Sequence, residues 1–564
     1  MTDPDLPSTG VPEGAGETER NGLGAAQAGP DGRDGIVSIS QVEDPAAVTP
    51  RGWYVTAYSV VRRLAKGWLR EPLTPLLTWL QSVMMAHQHL AFERGEDHTN
   101  PQTNVVVPDG ERVTVAAFWV VDYFSPSYAA QLEERLRRPE WQRPLGSSDR
   151  TSPVTATRLS REHASPVNVR ELGSFIRKTS DGFALWSTRR ELPTGIRAVT
   201  VKLVPMGPAL SAVVATFYPD EELSHALNDA LKADHEPRLR REAGTLQVSQ
   251  RLFTGIETVR LARESLHKIG RDWLSAELPG IFATEAGRRH PVLDLILTED
   301  FDPMKNLDDA ANRNMLRALG CGMGWTRHTS FMPAAENVRL FEVETEQSYR
   351  TIGEPEWMLW AKTSSAFGND DFVGYYGGRS PETIARRLAD PGVGLVSRLG
   401  LFELAQLKTR SAARARDSAH RVHSGRPVAT AKRLRTSLLT TGLDMSTIAD
   451  SVTAFTQDTQ RYEWQVPRVV LRHSHAPEAE REPDTTVILQ QWATAQRKAF
   501  KRLRDEEQAM LPILSTVASL SAAISGTRTQ RWALGVAILS LVASGVAVYF
   551  AYLAIVVAQA SQVN

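Results

Sequence analysis

Apolar positions change their spacing several times along this chain, and each change predicts an element. Over residues 53–92 they recur at helical intervals, in VVRRLAKGWL and then LTPLLTWLQSVMMAHQHLAF, with Pro72 and Pro75 marking a break between helices. NVVVP, the dipeptide Asp109-Gly110 and RVTVAAFWVVDYF follow, β-branched and aromatic on both sides of a turn, which predicts a hairpin. Residues 139–168, scattered with Pro, Ser and Thr, read as loop. Strand patterns return in FALWSTRREL, IRAVTVKLV and ALSAVVATFY, helical ones over 220–231 and 247–278. VRLFEVE and WMLWAK are two more short strands before the glycine-rich GNDDFVGYYGGRSP. Beyond Pro381 the spacing is helical almost to the end, apart from the strand-like WQVPRVVLRHSH. The expected fold is an α+β region over 36–380, then an all-helical region over 381–476.

After the linker APEAEREPD, centred on 477–484, the pattern becomes a heptad. Its a positions are Leu489, Gln496, Leu503, Met510, Val517 and Ile524; its d positions are Trp492, Ala499, Glu506, Ile513 and Leu520. Nine of these eleven are apolar, a seam made to meet another helix. A stalk helix over 485–531, self-associating through 489–524, is expected; packing against the body of its own chain is the alternative.

Residues 532–557, WALGVAILSLVASGVAVYFAYLAIVV, carry no charge. At ~1.5 Å per residue this helix is ~39 Å long, enough to cross a ~30 Å hydrocarbon core. Trp532 at one end and Tyr549 and Tyr552 towards the other suit the two headgroup belts. Arg497, Lys498, Lys501, Arg502, Arg504, Arg528 and Arg531 precede the segment and no charged side chain follows it. The excess of positive charge on that side predicts a cytoplasmic body held at the inner membrane, with the lipid bilayer as a partner. The first 35 residues lack a basic and an apolar stretch of signal-peptide type. They are rich in Gly and Pro, with seven acids against Arg20 and Arg33, and read as a disordered tail.

Charge and cysteine content narrow the partners. Formal net charge is zero, so bulk electrostatics predicts no affinity for nucleic acid. The single cysteine, Cys321, cannot form an internal disulfide, as suits a reducing compartment. About five arginines to each lysine, with abundant alanine, fit a GC-rich bacterial genome.

Candidate chemistry is sparse. Cys321 sits among alternating glycines in 319–325, without the Lys-Ser/Thr of a phosphate loop. His87 and His89 point to different faces of a helix, and His473 and His475 lack a third ligand nearby. Asp294, Glu299, Asp300, Asp302, Asp308 and Asp309 lack the spacing of a calcium loop. Asp370, Asp371 and Arg379 are polar handles in a glycine-rich loop over 368–380. None of these is a catalytic or metal constellation, and no cofactor is expected. Nine basic residues against Asp417 over 408–435 are the clearer signal. Arg410, Arg414, Arg416, Arg421, Lys432, Arg433 and Arg435 form a candidate surface for anionic lipid headgroups.

From 508 to 527 the chain is uncharged and rich in Ser and Ala, which also suits a helix packed among helices in a bilayer. A hairpin of 510–526 and 532–557 is therefore a second topology. In its order of parts, a cytosolic α/β region, a long charged helix and a C-terminal helical pair, the chain resembles the CorA-like magnesium transporters over roughly 485–557. That family carries Gly-Met-Asn between its membrane helices. Here Ser525-Gly526-Thr527-Arg528 shares only the glycine, and Arg528 and Arg531 would repel a cation. Magnesium transport therefore does not carry over. The expected function is a non-enzymatic, membrane-anchored sensor, scaffold or effector, oligomeric through its stalk; an oligomeric channel or transporter is the alternative.

Overall fold

All twelve residues of Val113–Phe124, strand β1, are buried, and a strand without a polar face must be covered on both sides. The computed structural model of the protein describes residues 53–561, apart from 96–99, 101–103, 106, 109, 142–151, 163–168, 179–186, 243–244, 304–315, 320–328, 333–336, 344–355, 367–377, 424–427, 465, 467–469 and 473–487. The expected disordered tail, the Cys321 loop, Asp308, Asp309, most of the 368–380 loop, His473, His475 and the 477–484 linker lie outside the described residues.

The chain divides into two units, residues 1–84 with 239–247, and residues 85–238 with 248–564. In the first, helix α1 (Trp53–Leu64) and the start of α2 (Arg70–Gly95) enclose a small core of Tyr54, Leu80 and Val83. The expected break at Pro72 and Pro75 falls earlier, over Ala65–Leu69, and both prolines stand within α2. Pro72 is in the first turn, where a missing N–H costs nothing. Strands β6 (Arg238–Glu242) and β7 (Thr245–Ser249) form a separate two-stranded sheet.

The second unit is built on a ten-stranded mixed sheet. Its other strands are β2 (Arg170–Arg177), β3 (Thr188–Arg190), β4 (Ile196–Pro205), β5 (Ser211–Pro219), β8 (Val292–Thr298), β9 (Thr329–Met332), β10 (Val338–Val343), β11 (Glu356–Lys362) and β12 (Val470–Arg472). They lie in the order β12-β9-β10-β11-β8-β1-β5-β4-β2-β3. Only β8 with β11 and β2 with β3 pair in parallel. Among the described residues before β1, Asn104, Val105, Val107 and Pro108 form no strand, so the hairpin expected around Asp109-Gly110 is not seen there; β1 pairs with β5 and β8, Val120 facing both Ala215 and Val292. Glu111 instead ties the segment before β1 to the loop after β8, accepting from Glu299 N at 2.7 Å and Phe301 N at 2.6 Å.

Alternation along β1 separates two cores. Phe118, Val120 and Phe124 join Phe217, Ile296 and Trp360 beneath α5 (Glu221–Lys232) and α6 (Arg251–Glu277). Trp119, Val121 and Tyr123 join Val214, Leu293 and Leu359 on the other face. Fully burying such a side chain is worth roughly 1.5–3 kcal/mol. Two short helices, α3 (Pro126–Leu136) and α4 (Pro153–Glu162), accompany the first face. The latter stands inside the expected 139–168 loop, started by Ser152 Oγ accepting from Thr155 N at 3.1 Å.

The second face is covered by α7 (Ile281–Glu285), α8 (Thr363–Ala366), α9 (Pro381–Arg387), α10 (Ala389–His423), α11 (Val428–Gln457), α12 (Thr459–Glu463) and the start of α13 (Ile488–Ser561). Gly392 lets α10 lie on Trp119, whose ring a Cβ would meet at 2.3 Å. The helices beyond Pro381 thus share one apolar core with the sheet instead of standing as a separate region.

Candidate functional site

Helix α13 runs unbroken for 74 residues, ~111 Å at 1.5 Å per residue. At its start Ile488, Leu489, Ala493, Phe500 and Leu503 are buried in the core, with Trp492 and Ala499 packed against it. The first half of the heptad seam is therefore filled by α10, α11 and α12 of the same chain. Helix continues through Thr527 to Arg531, where a hairpin needs a turn. Among the described residues one segment, Gln530–Leu553, is long and apolar enough to cross a membrane. Trp532, Leu539, Leu541, Tyr549 and Tyr552 all lie exposed along it.

Buried polar groups lock α13 to the body. Gln496 Nε2 donates to Arg398 O at 2.7 Å, and Gln496 Oε1 accepts from Tyr462 Oη at 2.8 Å. Burial pushes the Arg398 guanidinium down to about 10 and the Tyr462 hydroxyl up. Further along, half-buried Glu507 is pushed up to about 7 by burial, with Lys408 pulling it back. Its Oε1 fills the space over Gly442, 2.8 Å from where a Cβ would stand, and its Oε2 is buried without a hydrogen-bond partner.

A carboxyl raised in the folded state stabilises fully below its ordinary value of 4.5, and that contribution is lost as pH rises through about 7. The melting temperature of the protein should thus fall between pH 5 and 8 by more than that of Glu507→Gln. Parallel pH profiles for the two proteins would contradict this.

On the opposite face of the sheet lies an ionic network. Arg263, His267 and Arg271 recur every fourth residue of α6, one stripe of the helix. Asp294 interrupts the apolar run of β8, and Glu356 starts β11. Asp294 Oδ2 accepts from Arg263 Nε at 3.0 Å and Nη2 at 2.6 Å, while Oδ1 meets His267 Nε2 at 2.7 Å. His267 Nδ1 lies 3.4 Å from Glu356 Oε1, and Arg263 Nη1 lies 3.6 Å from Glu356 Oε2. Burial works against the imidazolium, but Asp294 and Glu356 overcome it and raise His267 to about 9. Burial likewise opposes ionisation of both carboxyls, and His267 with Arg263 holds them below the usual range. Donor atoms of Glu264, His267 and Glu356 fall within 4.8 Å of one another, as a cation site would need. Arg271 already meets Glu264 at 2.9 Å and Glu356 at 3.8 Å, so these charges balance within the chain.

Asp122 forms a second polar centre with no exposed surface. It accepts from the backbone N–H of Tyr123, Gly280, Phe282 and Ala283 and meets His290 Nε2 at 3.0 Å. This fixes the start of α7 against β1.

The residues singled out from sequence scatter. Lys408 is buried and holds Glu285 at 2.8 Å. Arg410 donates to Gln406 Oε1 at 3.3 Å, and Arg414 is exposed. Arg416 and Arg421 lie on α10 and Lys432, Arg433 and Arg435 on α11, with side chains outside the described set. His89 meets Glu93 at 3.2 Å on α2. Of the acidic group, Asp294 is inside the network, while Glu299 and Asp300 lend their backbone to Glu111. Ser380 caps α9 by accepting from Thr383 N at 3.2 Å. Comparison with protein families, curated proteins and solved structures finds no match, so no relative assigns roles to these residues.

Proposed function

We propose that the chain is a non-enzymatic sensor, scaffold or effector whose body is carried on the cytoplasmic side of a membrane by α13. The observation that carries this reading is the continuity of one helix, set in the body's core at Leu489–Leu503 and apolar on every face over Gln530–Leu553. Such a helix transmits displacement, since no linker decouples the body from the span. Self-association is assigned to the seam beyond Leu503, and the basic tip of α10 and α11 to anionic headgroups.

Topology is the direct test. With Cys321 replaced by serine, single cysteines at Thr529 and Asn564 should label from opposite sides of the membrane. Labelling of both from one side would refute the single-pass anchor.

A further inference from the structure

In the first unit, α1 and α2 turn Tyr54, Leu80 and Val83 into their small core. Trp53, Val60, Leu64, Leu76 and Trp79 lie outside it, each at least 40% exposed. We propose that this outer face of the helical hairpin lies on an anionic bilayer surface. The proposal rests on the membrane setting inferred above and adds to the α13 anchor a reversible contact, made by a different unit of the chain.

Helical spacing makes the face continuous. Trp53, Val60 and Leu64 follow one another at intervals of seven and four, a single stripe of α1, and Leu76 and Trp79 are three apart on α2. The rings of Trp53 and Trp79 stand 6.4 Å apart, so the two stripes meet. Scattered apolar residues on a surface need no partner, whereas a contiguous group rimmed by polar residues marks a place of contact.

Charge selects the partner. Arg62 and Arg63 end α1, Lys66 stands in the bend and Arg70 starts α2, all four exposed. Among the described residues no carboxylate pairs with any of them, and Glu71 is the only acid between Trp53 and Phe92. The dipole of α1 favours Arg62 and Arg63 at its C-terminus, but that of α2 disfavours Arg70 at its N-terminus. Cations next to exposed tryptophan and leucine match the headgroup layer, where phosphates meet the basic side chains and indoles sit at the boundary. A second copy of the chain would bring the same positive charge with it.

Length sets the depth. The 12 residues of α1 span ~18 Å at ~1.5 Å each, well short of a ~30 Å hydrocarbon core. Among the described residues Gln530–Leu553 alone is long and apolar enough to cross, so α2 is not a span either. The hairpin lies in the interface, its apolar face inward and its cations at headgroup level.

The test uses the full chain, with Cys321 replaced by serine, reconstituted into vesicles of phosphatidylcholine alone or mixed equally with phosphatidylserine. Leu64→Cys carries an environment-sensitive dye that brominated acyl chains quench on contact. Gln81→Cys, exposed two residues beyond Trp79 and so turned away from it, is the control. Leu64 should be quenched in the mixed vesicles, less so as salt rises, and Gln81 should not. Arg62→Gln, Arg63→Gln and Lys66→Gln together should weaken the contact roughly a hundredfold, about fivefold per charge. Quenching at Leu64 should then fall to the control, with an unchanged melting temperature. Equal quenching of Leu64 in both lipids, or in the neutralised variant, overturns the anionic surface, and no quenching in either lipid overturns the contact. Crosslinking of unlabelled Leu64→Cys between copies, in place of quenching, assigns the face to a second copy and overturns the proposal. The Thr529 and Asn564 labels report the anchor separately. Opposite-side labelling without quenching at Leu64 keeps the anchor and removes the hairpin contact; same-side labelling with quenching does the reverse.

Discussion

Replacing Asp294 by alanine should destabilise the body by about 3–5 kcal/mol, the usual cost of removing one partner from a buried ionic pair. Asp294 is 2% exposed and accepts from Arg263 and His267, themselves buried. Without it, Arg263 loses both hydrogen bonds to this carboxylate, with Glu356 at the longer 3.6 Å, and His267 keeps Glu356 at 3.4 Å. Denaturant unfolding followed by circular dichroism measures the loss, and a change below about 1 kcal/mol would show that the network does not hold the sheet to α6.

The same network sets a pH window. Because His267 is raised, its contribution is complete below its ordinary 6.5 and is lost as pH rises through about 9. Asp294 and Glu356 are lowered, so theirs is complete above about 4.5 and is lost as pH falls through their depressed values. Network stabilisation should therefore be greatest between about pH 4.5 and 6.5 and decline on the alkaline side. That alkaline decline should flatten in Asp294→Ala.

Leu503→Asp should also cost several kcal/mol, about 3–5 when the lost apolar burial and a desolvated charge are combined. Leu503 is 5% exposed inside the core that joins α13 to α10 and α11. The variant should melt at markedly lower temperature whatever its state of association. Ile513→Asp, further along the same seam, should keep the body's melting transition and reduce the sedimenting mass in detergent. If Leu503→Asp melts like the parent, α13 is not packed on the body in solution. An unchanged mass for Ile513→Asp would remove self-association through the upper seam.

How much of this was legible in the sequence depends on where each signal resides. Strands β4, β5, β10 and β11, the helices near 221–232 and 251–277, and the apolar end of α13 carry their own periodicity and stand close to where it places them. Partner choice does not lie in local spacing. The Asp109-Gly110 turn reads as a hairpin, but β5 and β8 compete better for β1. The heptad correctly marks a helix-packing face, yet a seam says nothing about whose helix fills it.

The ionic network escaped for a similar reason. Its stripe of Arg263, His267 and Arg271 looks like a solvated helix face, and Asp294 looks like one of several loop acids. One residue could have betrayed it: VLDLILT is an apolar strand broken by a single acid, and a charge there needs a partner. The cluster of Arg398 and Arg461 about Phe455 was not legible at all, because it joins residues far apart in sequence.

The direction of α10 has a bearing on the lipid surface. Arg398 lies beside Gln496, and Lys408 acts on Glu507, so α10 advances alongside α13 towards the apolar segment. Asp450 meets Arg504 and Gly442 meets Glu507, so α11 returns the opposite way. Continued at the same rise, the tip of this helical pair comes level with about residue 522, ~12 Å short of Gln530. The headgroup zone reaches ~5–7 Å beyond the hydrocarbon core, and electrostatic screening at physiological salt extends over ~8 Å. On the proposed anchoring, the end of this helical pair would stand at the margin of the membrane's field, where ionic strength decides whether charges there feel it.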